Sequence, residues 1–263
     1  MNSIRTALLI AAGLLFTVAS AQQSSAGTFS QIGTSRWVEV SYVYDGDTFK
    51  TEQGEKVRLL GINTPERAHG ATPGQPLATK ATSRLKSMLL KRTVRLVFDK
   101  ERKDRYGRLL AHVYLRSGEW VNGAMVESGM AHAYTFAPNF RYSSELLTLE
   151  QQARKAKRGM WRSDRFRLLT ADKISKKHIG QFRVISGRAS AISKWQFKMG
   201  NLTISVPRAH RKWFDDTLTL KSGDFVTVHG KIRLSSRGRL FLALHSPYDL
   251  EINPEIGLEA NKR

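Results

Sequence analysis

Three short blocks place acidic oxygens, a free carboxylate and two arginines close together in the chain. They are Tyr44-Asp45-Gly46-Asp47-Thr48, Arg58-Leu59-Leu60-Gly61-Ile62-Asn63-Thr64-Pro65-Glu66 and Asp104-Arg105-Tyr106-Gly107-Arg108. Hard divalent cations take oxygen ligands, and tight turns present such ligands well. Asp47 follows the Asp45-Gly46 turn, and Thr64 is fixed by Pro65, so an oxygen from each is a candidate to share one ion. Alone, Asp-Gly-Asp reads equally as a hairpin turn. Phosphodiester hydrolysis needs a water, an acceptor for its proton, and positive charge where negative charge develops. Glu66, beside a rigid proline, is the candidate base. Arg58 lies within an apolar strand and Arg108 at the start of another. Paired guanidinium N–H donors match phosphate oxygens in a way lysine cannot. Each arginine alone is an ordinary ion-paired or solvated strand residue; read together, the three blocks point to phosphodiester chemistry.

The chain that positions these blocks has 263 residues, 41% hydrophobic and 25% charged, enough for one large domain or two small ones. Lys and Arg outnumber Asp and Glu by 43 to 22, giving a net charge of +21. That excess implies a polyanionic partner: nucleic acid, acidic lipid headgroups or anionic polysaccharide. Cysteine is absent, which excludes disulfides and thiolate metal sites. Residues 1–21 combine a short basic start, an apolar run from Ala7 to Ala19 and an Ala19-Ser20-Ala21 cleavage pattern. They read as a signal peptide, so the mature chain is expected to be exported, periplasmic or secreted, without stable membrane insertion. Residues 22–35 read as a Ser- and Gly-rich flexible leader.

Strands are predicted at Trp37–Tyr44, Thr48–Thr51, Lys56–Leu60, Thr93–Phe98 and Leu109–Leu115, with turn signals between them. Leu77, Ala81, Leu85, Met88 and Leu89 share one helical face. Val121–Ser128 and the Leu146, Leu149, Ala153, Ala156 pattern mark two further helices. The expected class is β-rich α+β: a five-stranded barrel with three helices over 36–162. A charged connector is expected at 163–178. A second small β-barrel or oligonucleotide-binding-like domain follows at 179–252, with strands at Gln181–Gly187, Phe197–Val206, Phe225–Ile232 and Leu240–His245. A polar tail occupies 253–263.

From about Val38 to Trp161 the chain resembles the staphylococcal nuclease (thermonuclease) family. The resemblance rests on the three blocks above, extended by Leu109-Leu110-Ala111. It also rests on Val121-Asn122, Gly129-Met130-Ala131 and the closing Ala153-Arg154-Lys155-Ala156-Lys157-Arg158-Gly159-Met160-Trp161. It implies a five-stranded oligonucleotide-binding barrel and calcium-dependent cleavage of DNA and RNA to 3′-phosphate products. By the same resemblance, Asp47 and the Thr64 carbonyl match ligands of one Ca2+. Glu66 matches the general base, and Arg58 and Arg108 the phosphate-binding arginines. Tyr106 matches a residue near the nucleotide, and Tyr134 an aromatic lining the nucleotide pocket. Arg105, beside Tyr106, is expected to reach substrate.

Two departures bear on the site. Asn63 stands where the best-known member of the family has a second calcium-binding aspartate, so weaker calcium binding or an altered metal preference is expected. Phe136 replaces a pocket tyrosine, keeping a stacking face but losing a hydroxyl. The loop 67–76 also differs, and the second β-rich region lies outside the resemblance. The other reading is a secreted nucleic-acid-binding protein with weak or lost catalysis; a basic adhesin for acidic polymers is a third. The protein is expected to be a monomer. Seven scattered histidines show no His-x-x-x-His spacing and read as ordinary core or surface residues. The runs Lys155-Lys157-Arg158 and Lys100-Arg102-Lys103-Arg105 read as phosphate contacts or solvated faces. Trp195, Phe197, Trp213 and Phe241 read as core aromatics or as stacking platforms.

Overall fold

The computed structural model describes residues 35–214 and 218–252. The expected signal peptide, the leader up to residue 34 and the tail lie outside the described residues. The first region contains β1 (Ser35–Val43), β2 (Thr48–Thr51), β3 (Lys56–Leu59), β4 (Ile62–Asn63), β5 (Thr93–Val97), β6 (Leu109–Tyr114) and β7 (His132–Ala133). Its helices are α1 (Ala78–Leu89), α2 (Val121–Glu127) and α3 (Ser143–Lys155).

Five strands close into a barrel in the order β1-β2-β3-β6-β5, with β1 pairing to both β2 and β5. Alternation explains the barrel's interior: Val38 and Val40 on β1, Val94 and Leu96 on β5, and Ala111 and Val113 on β6 are all buried. Helix α1 adds Ala81, Leu85, Met88 and Leu89 to this core. On α2, buried Asn122 donates from Nδ2 to the Leu60 carbonyl at 2.8 Å, and its Oδ1 accepts from the Val113 amide at 2.8 Å. This side chain pins the helix to the barrel rim just before the Gly61–Glu66 segment.

Two glycines hold that segment close to its neighbours. A Cβ on Gly46 would stand 2.8 Å from Thr64 and Ala81, so only glycine lets the β1–β2 turn touch Thr64. Gly61 has φ +73°, and a Cβ there would meet Leu146 Cδ1 at 2.4 Å.

The second region contains β8 (Leu169–Thr170), β9 (Phe182–Arg188), β10 (Ser190–Ser193), β11 (Gln196–Met199), β12 (Leu202–Ser205), β13 (Phe225–Leu234), β14 (Leu240–Ala243) and β15 (Leu250–Ile252). Expected as a small barrel or an oligonucleotide-binding-like fold, this region is an eight-stranded sheet, β10-β11-β12-β14-β13-β9-β8, with β15 also on β13. Phe197–Val206, with its turn signal at Gly200-Asn201, is a β11–β12 hairpin turning there, and Phe197 belongs to the core of this region. The stretch 163–178 is more than a connector. It holds β8 and puts Leu169, Ala171 and Ile174 into the second core, while Phe166 packs with Met160 and Trp161.

The two regions meet along α3. Buried Glu150 and half-buried Arg154 face His229 on β13 and Glu251 on β15. Arg154 Nη2 donates to Glu251 at 2.8 Å, and Gln151 Nε2 donates to the same carboxylate at 2.7 Å. Glu150 also accepts from the Ala133 amide of β7. Aromatic contacts flank this cluster: Phe182 sits against His132 and Tyr134, and Phe140 against Trp213 and Tyr248.

Candidate active site

A cavity of about 610 Å³ opens on the barrel surface. Asp45 and Asp47 reach it from the β1–β2 turn, Arg58 from β3, Asn63 from β4 and Glu66 from the segment that follows. Arg105, Tyr106 and Arg108 come from the turn before β6, and Tyr134 and Phe136 from the strand end after β7. Thr64 is not on the wall but is buried directly behind it.

The hydrogen bonds account for the placement. Asp47 Oδ2 accepts from the Thr64 amide at 2.9 Å and from Thr64 Oγ1 at 3.0 Å, while Oδ1 accepts from Thr48 Oγ1 at 3.0 Å. Arg58 Nη2 lies 3.2 Å from Asp47 Oδ2 and donates to Asn63 Oδ1 at 3.0 Å. Its Nη1 donates to the Leu59 carbonyl at 3.0 Å, so the guanidinium is held flat against the strand. The short β4–β7 ribbon fixes Asn63 opposite His132, and the Tyr134 amide donates to the Gly61 carbonyl at 2.8 Å.

Asp104 builds the other wall. Its Oδ1 accepts from the amides of Tyr106 and Arg108 at 2.9 and 3.0 Å, and its Oδ2 from Arg108 Nε at 2.7 Å. Burial works to raise this carboxyl, but the bonds from Arg108 outweigh it and hold it below the usual aspartate range. Tyr106 is 68% exposed at the cavity mouth, with Arg105 and Arg108 over its ring and its hydroxyl accepting from Arg105 Nη2 at 2.6 Å. Phe136 packs edge-on to Tyr134 at 4.5 Å with most of its surface exposed.

Glu66 is exposed as a residue, yet the cavity wall partly desolvates its carboxyl. That burial, aided by the charge of Asp47, pushes it up; Arg58 and Arg108 act in the opposite direction. A proton acceptor in the same cavity as two guanidiniums, with a raised affinity for the proton, suits acid–base chemistry. The loop 67–76 closes beside it. The Gln75 amide donates to the Glu66 carbonyl at 2.8 Å, and Arg67 Nη1 donates to the Tyr44 carbonyl at 2.7 Å.

Asp45 is the residue the sequence concealed. Its signal was present, two positions before Asp47, but an Asp-Gly pair looks the same whether it makes only a turn or also lines a site. Here Oδ1 accepts from the Asp47 amide at 3.0 Å and the carboxyl faces the cavity. Burial first, then the charge of Asp47, pushes it up to about 6. Among the described residues there is no group of three His, Cys, Asp or Glu side chains arranged to hold a metal. The Asp45–Asp47 pair with the Asn63 oxygen is an all-oxygen donor set whose crowded negative charge a hard divalent cation would relieve. The residues therefore fit such an ion, with water and substrate completing its shell.

Comparison with known proteins agrees with this geometry. The family described as Staphylococcal nuclease homologue matches residues 56–163. The chain is 34% identical over 168 residues to a thermonuclease of Staphylococcus hyicus, covering 61% of this chain and 99% of that protein. It is 35% identical over 167 residues to a thermonuclease of Staphylococcus intermedius, covering 61% and 99%. It is 35% identical over 146 residues to endonuclease YncB of Bacillus subtilis, covering 53% and 69%. The chain belongs to the staphylococcal nuclease homologue family.

Proposed function

We propose that this nuclease is an exported, calcium-dependent phosphodiesterase that cleaves DNA, RNA or both by attack of water. The observation that carries this reading is the convergence of Glu66, Arg58 and Arg108 on one cavity that also holds the Asp45–Asp47 pair. Glu66 accepts the proton of the attacking water. Arg108, oriented by Asp104, and Arg58, oriented by Asn63 and Asp47, neutralise the charge that grows on the phosphoryl oxygens. Asp47, Asp45 and Asn63 would hold the calcium ion, with Thr64 behind the wall fixing the Asp47 carboxylate. When bound, it supplies Lewis-acid polarisation of a phosphoryl oxygen. Tyr106, Tyr134 and Phe136 offer ring faces to bases, which favours broad sequence tolerance. The N-terminal pattern of residues 1–21 supports export, and cell fractionation with N-terminal sequencing of the mature protein tests it.

Digestion of plasmid and single-stranded substrates with calcium and with chelator tests the chemistry. Glu66→Gln and Arg108→Ala are expected to lower turnover by about 10²–10³-fold while substrate is still bound. Unchanged cutting by Glu66→Gln would remove the general-base assignment. Asn63 favours the second reading, a binder with lost catalysis, because it removes one negative charge from the ion site. Retardation of nucleic acid without cutting under any divalent ion would select it.

A further inference from the structure

The second sheet has two unlike faces. One carries its apolar core, including Phe197, Met199, Ile204, Ile232 and Leu242. On the other, β13 presents Thr227, His229, Lys231 and Arg233 in alternation, the first two buried and the last two exposed. His229 closes on α3, so this face is covered at one end and open beyond it. The strand register continues the open part as a row. Arg233 pairs with Phe241 on β14, Phe241 with Thr203 on β12, and Thr203 with Lys198 on β11. Strands β11 to β14 contain no carboxylate at all. At the far end, Lys198 and Thr203 line a groove of about 610 Å³ with Lys176 and Arg239, again without a carboxylate. At the near end, Lys231 pairs with Phe182, whose ring stands 5.1 Å from that of Tyr134 in an edge-on contact. Tyr134 is a wall of the active-site cavity.

We propose that this row is a track for single-stranded nucleic acid leading away from the active site. Phosphates sit on Lys231, Arg233 and Lys198, and a base stacks on Phe241. The inference deepens the nuclease reading and rests on it for the identity of the polymer. Lys231, Arg233 and Lys198 keep one charge sign along the row, as a bound backbone requires, and Asp249, whose charge reaches Tyr134 at the near end, is buried. Arg233 and Lys198 are three strand spacings apart, roughly 14 Å, a span that one phosphate cannot bridge and a strand of several nucleotides can. Phe241 is half-buried within the sheet surface, a position that suits an unpaired base and not a stacked duplex pair.

The test uses the full chain carrying Lys198→Glu with Arg233→Glu, and separately Phe241→Ala. Binding of a labelled single strand of about 12 nucleotides is measured in chelator across a salt series. Turnover is measured with calcium on a short chromogenic phosphodiester that fits within the cavity. The charge-reversed protein should lose at least about tenfold in affinity for the long strand, and its salt slope should fall by about 1.4. Its turnover on the short diester should stay within about twofold of wild type. Phe241→Ala should weaken the single strand more than a duplex of the same length. Lys198→Gln with Arg233→Gln should shift affinity the same way by less. Unchanged affinity and salt slope would overturn the track, as would an equal loss on the short diester. Because binding is read in chelator, a wild type that binds but never cuts would defeat the nuclease reading alone.

Discussion

Replacing Glu251 with glutamine should cost about 3 kcal/mol of stability at neutral pH. The carboxylate is 6% exposed and accepts from Arg154, Gln151 and His229. Burial works to raise it, but the bonds and charges of His229, followed by the charge of Arg154, outweigh that. They hold it down to about 2 from an ordinary 4.5. At about 1.4 kcal/mol per pKa unit, this displacement is worth ~3 kcal/mol. The ~3–5 kcal/mol typical of leaving one member of a buried ion pair uncompensated agrees. The fold favours the ionised form, so the stabilisation is fully present above pH 4.5 and is lost as pH falls through about 2. Denaturant unfolding of wild type and Glu251→Gln at several pH values reads this directly. In thermal unfolding the variant should melt roughly 6–12 °C lower at pH 7. A deficit below about 1 kcal/mol, or one that does not shrink between pH 4.5 and pH 2, would refute the assignment of this cluster as a net stabilising contact.

Other outcomes follow from the site and its supports. Asn63→Asp should lower the calcium concentration needed for half-maximal cutting by on the order of tenfold, read by titration against wild type; equal requirements would count against Asn63 facing the ion. Arg58→Lys should reduce turnover by about 10²-fold, since an ammonium cannot hold Asp47, Asn63 and a phosphate at once, and steady-state kinetics would show it in kcat. Gly46→Ala should lower activity more than stability, because the new methyl, 2.8 Å from Thr64, displaces the turn bearing both aspartates; paired melting and cleavage assays separate the two effects. Gly61→Ala should cost about 1–3 kcal/mol, through strain at φ +73° and the clash with Leu146, measurable as a lower denaturation midpoint.

Much of the barrel and most of the cavity were legible because their residues cluster in unbroken motifs. Strands β1, β2, β3, β5 and β6 alternate over four or more residues, long enough for a period of two to show. The β4–β7 ribbon has two residues on each side, so no pattern could reveal it, yet it sets where Asn63 stands. Asp45 was hidden by the ambiguity of an Asp-Gly turn, and Asp104 by having no apolar neighbour to mark its role as the anchor of Arg108. His229 was indistinguishable from any histidine in an alternating strand, because its partners Glu150 and Glu251 are remote in sequence. The basic run at the C-terminal end of α3 and just beyond it was only partly a solvated face: Arg158, past the helix, pairs with Glu127 on α2, and Arg154 in the last turn of α3 reaches Glu251. The segment 163–178 looked like linker because its charges dominate, while the apolar positions that dock it are spaced irregularly.

Arg183 shows why that segment cannot behave as a tether. Its guanidinium, nearly sealed from solvent, gathers the main-chain oxygens of Asp164, Arg165 and Arg167 at 3.3, 2.6 and 3.0 Å. Three peptide dipoles within four residues are thereby clamped on one fixed charge, and that charge dictates the path leaving the catalytic half. Lengthening this stretch by even one residue would rotate those oxygens off the clamp. A usable seam for splitting or fusing this protein must therefore lie elsewhere than at the border where its recognisable family segment ends.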